Sequence, residues 1–439
     1  KIKGNAFEIL SKHYLLTDPI FVSKFDEVLH HWELNNHSEN ILEELKLPSP
    51  EIGVDIIAKY KDGTYCAIQC KFKQDRTKNL SYNELSTFFS VTERSITYPK
   101  LSHRIICTSS NEISYKVSKV HKEKLGYLTY SDFENLTKER FKQIHDSMNG
   151  CKLILEPFYP RKHQEIAITK ASDYFANSKF KKGKIIHPCG SGKSMTAYWI
   201  SEKLGAKTVL IAVPSLALIR QTLDAWTKQA ISTGSTIDYM AVCSDKDVGQ
   251  SDDPLMNTHD MGISVTTNFE EVKSFLLKES SGMKVVLTTY QSGSVIISAC
   301  NNIDQSFDLG IFDEAHKTTG DKSKKFALLL DDETIEIKNK IFMTATERQF
   351  FGNTTNLISM DNESIYGLVI DQLSFKNALD QEPPILCDYQ VITVAVTRSD
   401  IELLISENQL TRANGKQHTF IDDGATIASM IALRKLSAD

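Results

Sequence analysis

A glycine-rich segment at residues 187–194, HPCGSGKS, has the composition of a phosphate-binding loop. It lies between an apolar run that predicts a strand and a pattern that predicts a helix. Its backbone N–H groups and the helix N-terminus could converge on a phosphate chain. The predicted contacts come from Gly190, Ser191, Gly192, Lys193 and Ser194, with Lys193 on the β- and γ-phosphates and the Ser194 hydroxyl on Mg²⁺. A glycine-rich turn is the alternative for this segment taken alone.

A second segment, residues 309–316 (LGIFDEAH), is an apolar strand that ends in two acids. Asp313 is expected to hold Mg²⁺, and Glu314 is expected to polarise the water that attacks the γ-phosphate. The two segments together, in this order, predict hydrolysis of ATP far more specifically than either one does alone.

A third set of residues lies near the N-terminus, in a predicted β-hairpin. Asp55 is in one strand and Gln69 and Lys71 are in the other, where the alternation of side chains puts them on one face. A carboxylate, an amide oxygen and a lysine on one face could bind Mg²⁺, activate water and stabilise a pentavalent phosphate. A salt-bridged hairpin of an ordinary α/β domain is the alternative.

The length of the hairpin loop decides whether this third set can assemble. A two-residue loop, Asp62-Gly63, would set Asp55 opposite Cys70 and therefore on the face away from Gln69. A three-residue loop, with Gly63 at positive φ, sets Asp55 opposite Gln69. The catalytic hypothesis therefore requires the odd-length loop or a bulge that shifts the register by one residue.

The elements that must position these residues fall into two patterns. Residues 1–150 predict the order helix, helix, hairpin, helix, strand, helix. Beyond a Pro-containing linker near residues 156–160, short apolar strands alternate with helices, which is typical of a parallel sheet covered on both faces. The predicted strands are Lys184–His187, Thr208–Val213, Val285–Thr289, Leu309–Asp313 and Lys340–Thr344. The fold class is therefore α/β, with predicted domains at 1–150, 151–380 and 381–439.

Bulk composition excludes several classes of protein. The 439 residues include 41% hydrophobic and 24% charged residues, typical of a globular protein, with a net charge of −5. No apolar run is long enough to span a bilayer, and no signal peptide is evident. Eight scattered cysteines without a CxxC pair fit buried thiols in a reducing cytoplasm. Any contact with nucleic acid must come from local basic residues, because no global positive charge exists.

The ATP-binding segments resemble the superfamily-2 helicases of the DEAH type, over roughly residues 157–375. Residues 161–164 (RKHQ) look like the family's adenine-reading motif, which implies nucleotide contacts for Arg161 and Gln164. Thr344 and Thr346 match the motif that couples the ATP state to the nucleic acid. Two further segments resemble the strand-contacting motifs, and the implied residues are Pro214, Ser215, Arg220, Gln221, Thr288, Thr289, Tyr290 and Gln291. The sequence departs from the family's pattern at His187, where a small residue is usual, and at Glu347, where proline is more frequent.

The hairpin resembles the PD-(D/E)xK nucleases in their Mrr-type variant, where the second acid is often glutamine. The resemblance rests on Gly53-Val54-Asp55 and on residues 67–71 (AIQCK). It implies catalytic roles for Asp55, Gln69 and Lys71, a metal site on Asp55 and Gln69, and a further helical glutamate at Glu8. Since Gln69 adds no charge, metal affinity would depend on Asp55 and Glu8.

An Mrr-like nuclease ahead of a DEAH-type motor resembles the N-terminal part of Type ISP restriction enzymes. The resemblance implies ATP-dependent translocation on double-stranded DNA coupled to Mg²⁺-dependent cleavage by a type I-like restriction endodeoxyribonuclease in the cytoplasm. A second motor lobe, a methyltransferase and a target-recognition domain would then lie further along a longer protein, with residues 381–439 beginning that lobe or linking to it. The alternative is a DNA or RNA helicase whose N-terminal domain only binds nucleic acid.

Overall fold

The structure, a computed structural model, describes most of the chain up to residue 388. The described residues are 2–49, 51–96, 100–114, 116–117, 124–177, 179, 181–244, 261–263, 265–301, 303, 306–321, 325–350 and 357–388. Residues 1–378 form one compact unit, and residues 379–439 form a second one. The predicted third domain at 381–439 lies almost entirely outside the described residues and stays a prediction.

The N-terminal half of the compact unit is built on a five-stranded sheet with strand order β1-β2-β3-β4-β5. The strands are β1 Phe25–His30, β2 Ile56–Tyr60, β3 Tyr65–Lys71, β4 Leu101–Thr108 and β5 Leu125–Leu128. The helices are α1 Ile2–Leu15, α2 Pro19–Lys24, α3 His31–Leu34, α4 Ile41–Glu44, α5 Tyr82–Ile96, α6 Tyr130–Glu134 and α7 Lys138–Met148. The first three strands are antiparallel neighbours, whereas β3, β4 and β5 are parallel.

The β2–β3 hairpin has the three-residue loop that the catalytic hypothesis requires. Ile56 pairs with Ile68 and Lys59 with Tyr65, and this register continued one residue beyond β2 would set Asp55 opposite Gln69. Gly63 has a φ of 82° and closes the loop by donating its N–H to the Tyr60 carbonyl. The register of β2 and β3 is therefore the one that the catalytic hypothesis requires.

Two strands of this sheet were not predicted. β1 has no counterpart in the predicted order of elements, and it pairs antiparallel with β2 from Phe25 to His30. β5 has only four residues, one of which is Gly126, and it pairs parallel with β4. Both strands lack the strict alternation that marks a strand, so only pairing with distant segments determines their conformation.

The second half is built on an eight-stranded sheet, and every pair of neighbouring strands in it is parallel. The strands are β6 Lys182–Ile186, β7 Thr208–Val213, β8 Ile237–Val242, β9 Val265–Thr266, β10 Met283–Thr289, β11 Phe307–Phe312, β13 Ile337–Thr344 and β15 Leu368–Gln372, in the order β15-β6-β13-β11-β7-β10-β8-β9. A small ladder joins β12 Gly320–Asp321 to β14 Leu357–Ile358. All five predicted strands lie in the parallel sheet, and the α/β fold class is confirmed.

Helices connect these strands. They are α8 Lys162–Asn177, α9 Lys193–Lys203, α10 Leu216–Thr233, α11 Phe269–Leu277, α12 Gly293–Cys300, α13 Glu363–Tyr366 and α14 Phe375–Leu379. Three 3-10 turns add Tyr290–Ser292, Ala315–Thr318 and Lys325–Leu330. Among the described helices, none is long and apolar enough to cross a membrane.

One apolar core runs through both halves. It joins Leu15 and Phe21 of the first half to Ile219 and Trp226 of the second. Two further clusters fill the outer sides, one under each sheet. Because burial of apolar area is the main stabilising term, the shared core holds the two halves together.

The turn that delivers Asp55 depends on Gly53, which allows a first test. Gly53 has a φ of 78°, and an added Cβ would lie 3.0 Å from the Phe88 backbone nitrogen on α5. Gly63 has a φ of 82° but open space around it. Gly63→Ala should lower the free energy of unfolding by about 1 kcal/mol through backbone strain. Gly53→Ala should lower it further, because strain and crowding then act together.

Chemical denaturation followed by circular dichroism measures the two differences. Equal losses in the two variants would show that the contact with α5 does not constrain the turn.

Candidate catalytic sites

Asp55 and Gln69, two of the three predicted hairpin residues, meet where β2 begins. The Gln69 side-chain amide donates a hydrogen bond to the Asp55 carboxylate, which also accepts the Cys70 backbone N–H at 2.6 Å. Asp55 is 6% exposed and Gln69 is 2% exposed. Two donors from β3 therefore fix the orientation of a buried carboxylate, as the register of β2 and β3 allows.

Electrostatics links four residues at this point. Burial raises the pKa of Asp55 to about 7, with Glu51 raising it further and the Cys70 N–H and Lys71 lowering it. Burial also raises the pKa of Glu8, and the charge of Asp55 raises it while that of Lys71 lowers it. Glu8, Asp55 and Lys71 therefore lie close enough to influence one another. Glu51 was missed at the sequence level, where its only signal was its place four residues before Asp55.

The donors at this site suit a hard cation such as Mg²⁺. They are carboxylate and amide oxygens, and the negative groups outnumber the one lysine that influences them. Within the described residues, no three His, Cys, Asp or Glu side chains converge closely enough to hold a metal ion by themselves. A cation here would depend on Asp55, the amide oxygen of Gln69 and water, with Glu8 nearby.

The glycine-rich loop connects β6 to α9. Gly190 and Gly192 have φ values of 83° and 82°, which only glycine adopts readily. α9 begins at Lys193, so its N-terminal N–H groups open onto the loop. Within the described residues, the buried hydroxyls of Ser191 and Ser194 have no hydrogen-bond partner. The loop has the backbone and the polar groups that a phosphate chain and its metal would use.

The acidic strand end lies directly against this loop. Lys193 Nζ is 3.5 Å from Glu314 Oε1, and Glu314 has a φ of 48°. Burial raises the pKa of Asp313 to about 6, and Glu314 raises it while Lys193 lowers it. Lys193, Asp313 and Glu314 thus form one electrostatic cluster at the carboxyl end of the sheet.

The predicted coupling motif, Thr344 and Thr346, joins this cluster through His316. The His316 ring lies 3.3 Å from Glu314 Oε2 and hydrogen-bonds to the Thr344 hydroxyl at 3.0 Å. The Thr344 hydroxyl donates to the Thr346 carbonyl at 2.9 Å. A continuous polar path therefore connects the acidic pair to the residues predicted to couple ATP to nucleic acid.

Gln164 also lies against the loop. Its amide donates to the Gly192 carbonyl at 3.1 Å and accepts the Arg161 N–H at 2.9 Å. In this structure Gln164 supports the phosphate loop, and the Arg161 side chain is exposed. Adenine recognition by these two residues remains a prediction.

The residues of the first predicted strand-contacting segment are divided among three environments. Pro214 is buried, Ser215 is half-buried and Gln221 is exposed. Arg220 instead bonds to the N-terminal half: its guanidinium lies 3.4 Å from Asp18 Oδ2. Of this group, Ser215 and Gln221 are the accessible ones.

The second predicted segment is mostly internal. Thr288, Thr289 and Tyr290 are fully buried, and the Tyr290 hydroxyl donates to the Asp313 carbonyl at 2.6 Å. These three side chains could meet a nucleic-acid strand only if the segment opened, whereas Gln291 is half-buried. The position of Tyr290 instead ties this segment to the acidic strand end.

Both departures from the helicase pattern have charged partners. The buried His187 hydrogen-bonds through Nε2 to Asp371 at 2.8 Å, and Asp371 also pairs with Lys170 at 2.6 Å. Glu347 pairs with the buried ammonium of Lys184. The unusual residues are therefore accommodated by compensating charges on β15 and β6.

Two family matches cover these sites. Residues 16–142 match the family described as "Restriction endonuclease", and residues 157–349 match "Type III restriction enzyme, res subunit". The first match contains the hairpin site, and the second contains the phosphate loop and the acidic pair.

Known proteins resemble the chain over different spans. The DNA-bound structure of the ATP-dependent Type ISP restriction-modification enzyme LlaBIII is 25% identical with a TM-score of 0.68, covering 87% of this chain and 25% of that one. A DNA-bound nuclease-deletion mutant of the Type ISP enzyme LlaGI is 31% identical with a TM-score of 0.41, covering 51% and 21%. A probable helicase of African swine fever virus is 28% identical over 180 residues, which is 41% of this chain and 18% of the viral protein. The chain thus spans a quarter or less of these proteins.

The raised pKa of Asp55 predicts how stability depends on pH when no divalent cation is present. In the unfolded chain its pKa is about 3.9, so folding favours the protonated form. The contribution of Asp55 to the free energy of unfolding should therefore be fully present below about pH 4 and be lost as the pH rises through about 7. Asp55→Asn removes this loss, and at pH 8 it should be more stable than the wild type by up to about 4 kcal/mol.

Denaturation in chelator at pH 4 to 8 measures this gap, and added Mg²⁺ should narrow it by binding the ionised native form. Asp62→Asn is the control on the same hairpin. Although burial raises the pKa of Asp62, Thr64 and Lys278 lower it overall, so that variant should lose stability at neutral pH. A gap that is the same at every pH would rule out Asp55 as its source.

Proposed function

We propose that this chain, which joins a restriction-endonuclease domain to a helicase ATPase domain, couples ATP-dependent movement on double-stranded DNA to Mg²⁺-dependent DNA cleavage. One observation carries the proposal: each half brings its reactive groups together from separate segments. Asp55 meets Gln69 across the hairpin, and Lys193 meets Glu314 across the sheet. The two sites also belong to one compact unit.

In the motor half, the residues divide the work on ATP. Lys193 supplies positive charge for the β- and γ-phosphates, and the N–H groups of the loop cradle the chain. Glu314 is placed to orient and deprotonate the attacking water, because it lies beside Lys193 at the open end of the sheet. Ser194 and Asp313 would hold Mg²⁺, which neutralises charge on the phosphates when bound.

In the nuclease half, Asp55 and Gln69 would hold Mg²⁺, which lowers the pKa of a bound water when present. Lys71 places a positive charge where a pentavalent phosphate develops negative charge. The Cys70 N–H and the Gln69 amide orient Asp55, so the carboxylate needs little rearrangement to act. Glu8 adds a second carboxylate near the same point.

Double-stranded DNA is the proposed substrate because of the enzyme that the chain resembles over most of its length. The solved Type ISP enzyme is bound to DNA, and the match covers 87% of this chain. A methyltransferase and a target-recognition domain in the same protein are part of this proposal.

A second candidate function is a helicase whose N-terminal domain binds nucleic acid without cutting it. Gln69 stands where many nucleases have an acid, and the described residues offer no three-carboxylate metal group. Metal-dependent nicking decides between the two functions. Stimulation of the ATPase by duplex DNA rather than by single-stranded RNA decides which polymer the motor follows.

The ATPase assignment predicts distinct outcomes for two variants. Lys193→Ala should abolish ATP hydrolysis, because it removes the charge that holds the β- and γ-phosphates. Glu314→Gln should still bind ATP but not hydrolyse it. Phosphate release and nucleotide binding are measured for both variants in the presence of duplex DNA.

Lys203→Ala is the matched control, since Lys203 is an exposed lysine at the other end of α9. Wild-type turnover by Lys193→Ala would refute the assignment.

The nuclease assignment predicts loss of cleavage without loss of ATP hydrolysis. Asp55→Ala and Lys71→Ala should each stop Mg²⁺-dependent nicking of a supercoiled plasmid, because they remove the metal ligand and the charge on the phosphate. The ATPase should persist, since its groups lie in the other sheet.

Lys59→Ala, on the same hairpin and paired with Glu39, is the control. Nicking that survives Asp55→Ala would favour the domain that only binds nucleic acid.

A further inference from the structure

Arg220 connects the two halves of the compact unit. It lies in α10, the helix that begins directly after the predicted strand-contacting residues Pro214 and Ser215. Its guanidinium donates to the Met261 carbonyl and lies 3.4 Å from both the Tyr14 hydroxyl and Asp18 Oδ2. The latter two residues belong to the nuclease half, so its contacts cross from one half to the other.

Asp18 is the acid that anchors this contact. Its side chain is 5% exposed and caps α2 by accepting the Ile20 N–H at 3.0 Å. It also pairs with Arg140 of α7 at 3.3 Å, and Arg140 donates to the Thr17 carbonyl at 2.5 Å. One buried carboxylate therefore lies between two arginines, one from each half.

Removing Asp18 would take the shared partner from both guanidinium groups, whereas removing Arg220 would leave Asp18 paired with Arg140 alone. Asp132 and Asp224 add negative charge around the same guanidinium. Arg220 is thus paired with Asp18 in surroundings that are negatively charged, which makes it unsuited to release its contacts for a phosphate.

A second contact fixes the other end of α2. Lys24 Nζ donates to the Tyr239 carbonyl at 2.6 Å and lies 4.1 Å from the centre of the Tyr239 ring. The Tyr239 hydroxyl donates back to the Ile20 carbonyl at 3.3 Å. Both ends of this six-residue helix are therefore attached to the motor half.

We propose that Arg220 is a positioning residue that locks the nuclease domain to helix α10, rather than a residue that touches nucleic acid. The inference rests on the proposed function for the role of α10 in following DNA. Under that function, the segment that contacts the DNA strand continues directly into α10, the helix to which the nuclease half is attached. A displacement of α10 on DNA therefore moves α2, and the nuclease with it.

The test compares Arg220→Ala with Gln221→Ala in the whole chain. Gln221 is the neighbouring residue on α10 and is exposed. Amide hydrogen exchange of α2 reports on the interface, and the salt dependence of DNA affinity reports on phosphate contacts. Arg220→Ala should speed exchange in α2 by about tenfold or more, since it loosens a local element, and should leave the salt slope unchanged. Gln221→Ala should leave exchange in α2 unchanged.

A second variant approaches the same contact from the nuclease side. Asp18→Asn keeps the size and an oxygen that can cap α2, but it removes the charge. It should speed exchange in α2 at least as much as Arg220→Ala does, because it also weakens the pair with Arg140. Adding Arg220→Ala to Asp18→Asn should change exchange in α2 little, because the pair of Arg220 and Asp18 is already lost. Circular dichroism identifies any variant that fails to fold, and Arg220→Lys then replaces Arg220→Ala.

The opposite result is equally specific. A salt slope that falls by about one in Arg220→Ala, with exchange in α2 unchanged, would make Arg220 a phosphate contact and overturn the proposal. Failure of the wild-type chain to bind DNA would instead contradict the proposed function. Exchange in α2 needs no DNA and would still test the interface.

Discussion

Charge buried inside the fold needs a partner, and this constraint shapes every site in the chain. A buried ionised group without compensation is unstable, so it gains an opposite charge or becomes neutral. Lys193 lies beside Glu314, Lys184 beside Glu347 and Arg220 beside Asp18. Asp55 is compensated least, because its hydrogen-bond donors are neutral and its charged neighbours include other acids. The pKa of its carboxyl rises accordingly, and a bound cation would stabilise the ionised form of this carboxyl.

Features governed by local rules could be predicted from the sequence. The five predicted motor strands are short apolar runs. Such runs are enough to predict strands here, because a parallel sheet is buried on both faces. For the hairpin, the sequence reduced the choice to two registers, and the structure has the one that the three-residue loop gives. β1 could not be predicted in this way, since Asp26 and Glu27 interrupt its apolar pattern and its pairing with β2 determines its conformation. Glu51 was missed for a similar reason: its influence on Asp55 depends on how the turn at Gly53 folds.

The departures from the helicase pattern depend on partners far along the chain. His187 meets Asp371 at a sequence separation of 184 residues, and Lys184 meets Glu347 at 163. The two partner residues lie outside the helicase motifs. The motif sequences alone therefore gave no reason for either departure. Arg220 illustrates the converse case. Its place in a strand-contacting segment suggested DNA, whereas its contacts lie with Asp18 and Tyr14.

The shared core bears on how a nuclease and a motor could act together. Two domains joined by a linker alone would move independently, and the linker's length would set their reach. Here Leu15 and Phe21 share an apolar cluster with Ile219 and Trp226, and the ion pair of Arg220 lies beside it. Independent movement would expose that cluster to water and separate buried charges, and both changes are unfavourable. Under the proposed function, the fold therefore favours a nuclease that moves together with the motor lobe, with its orientation set by α2 and α10.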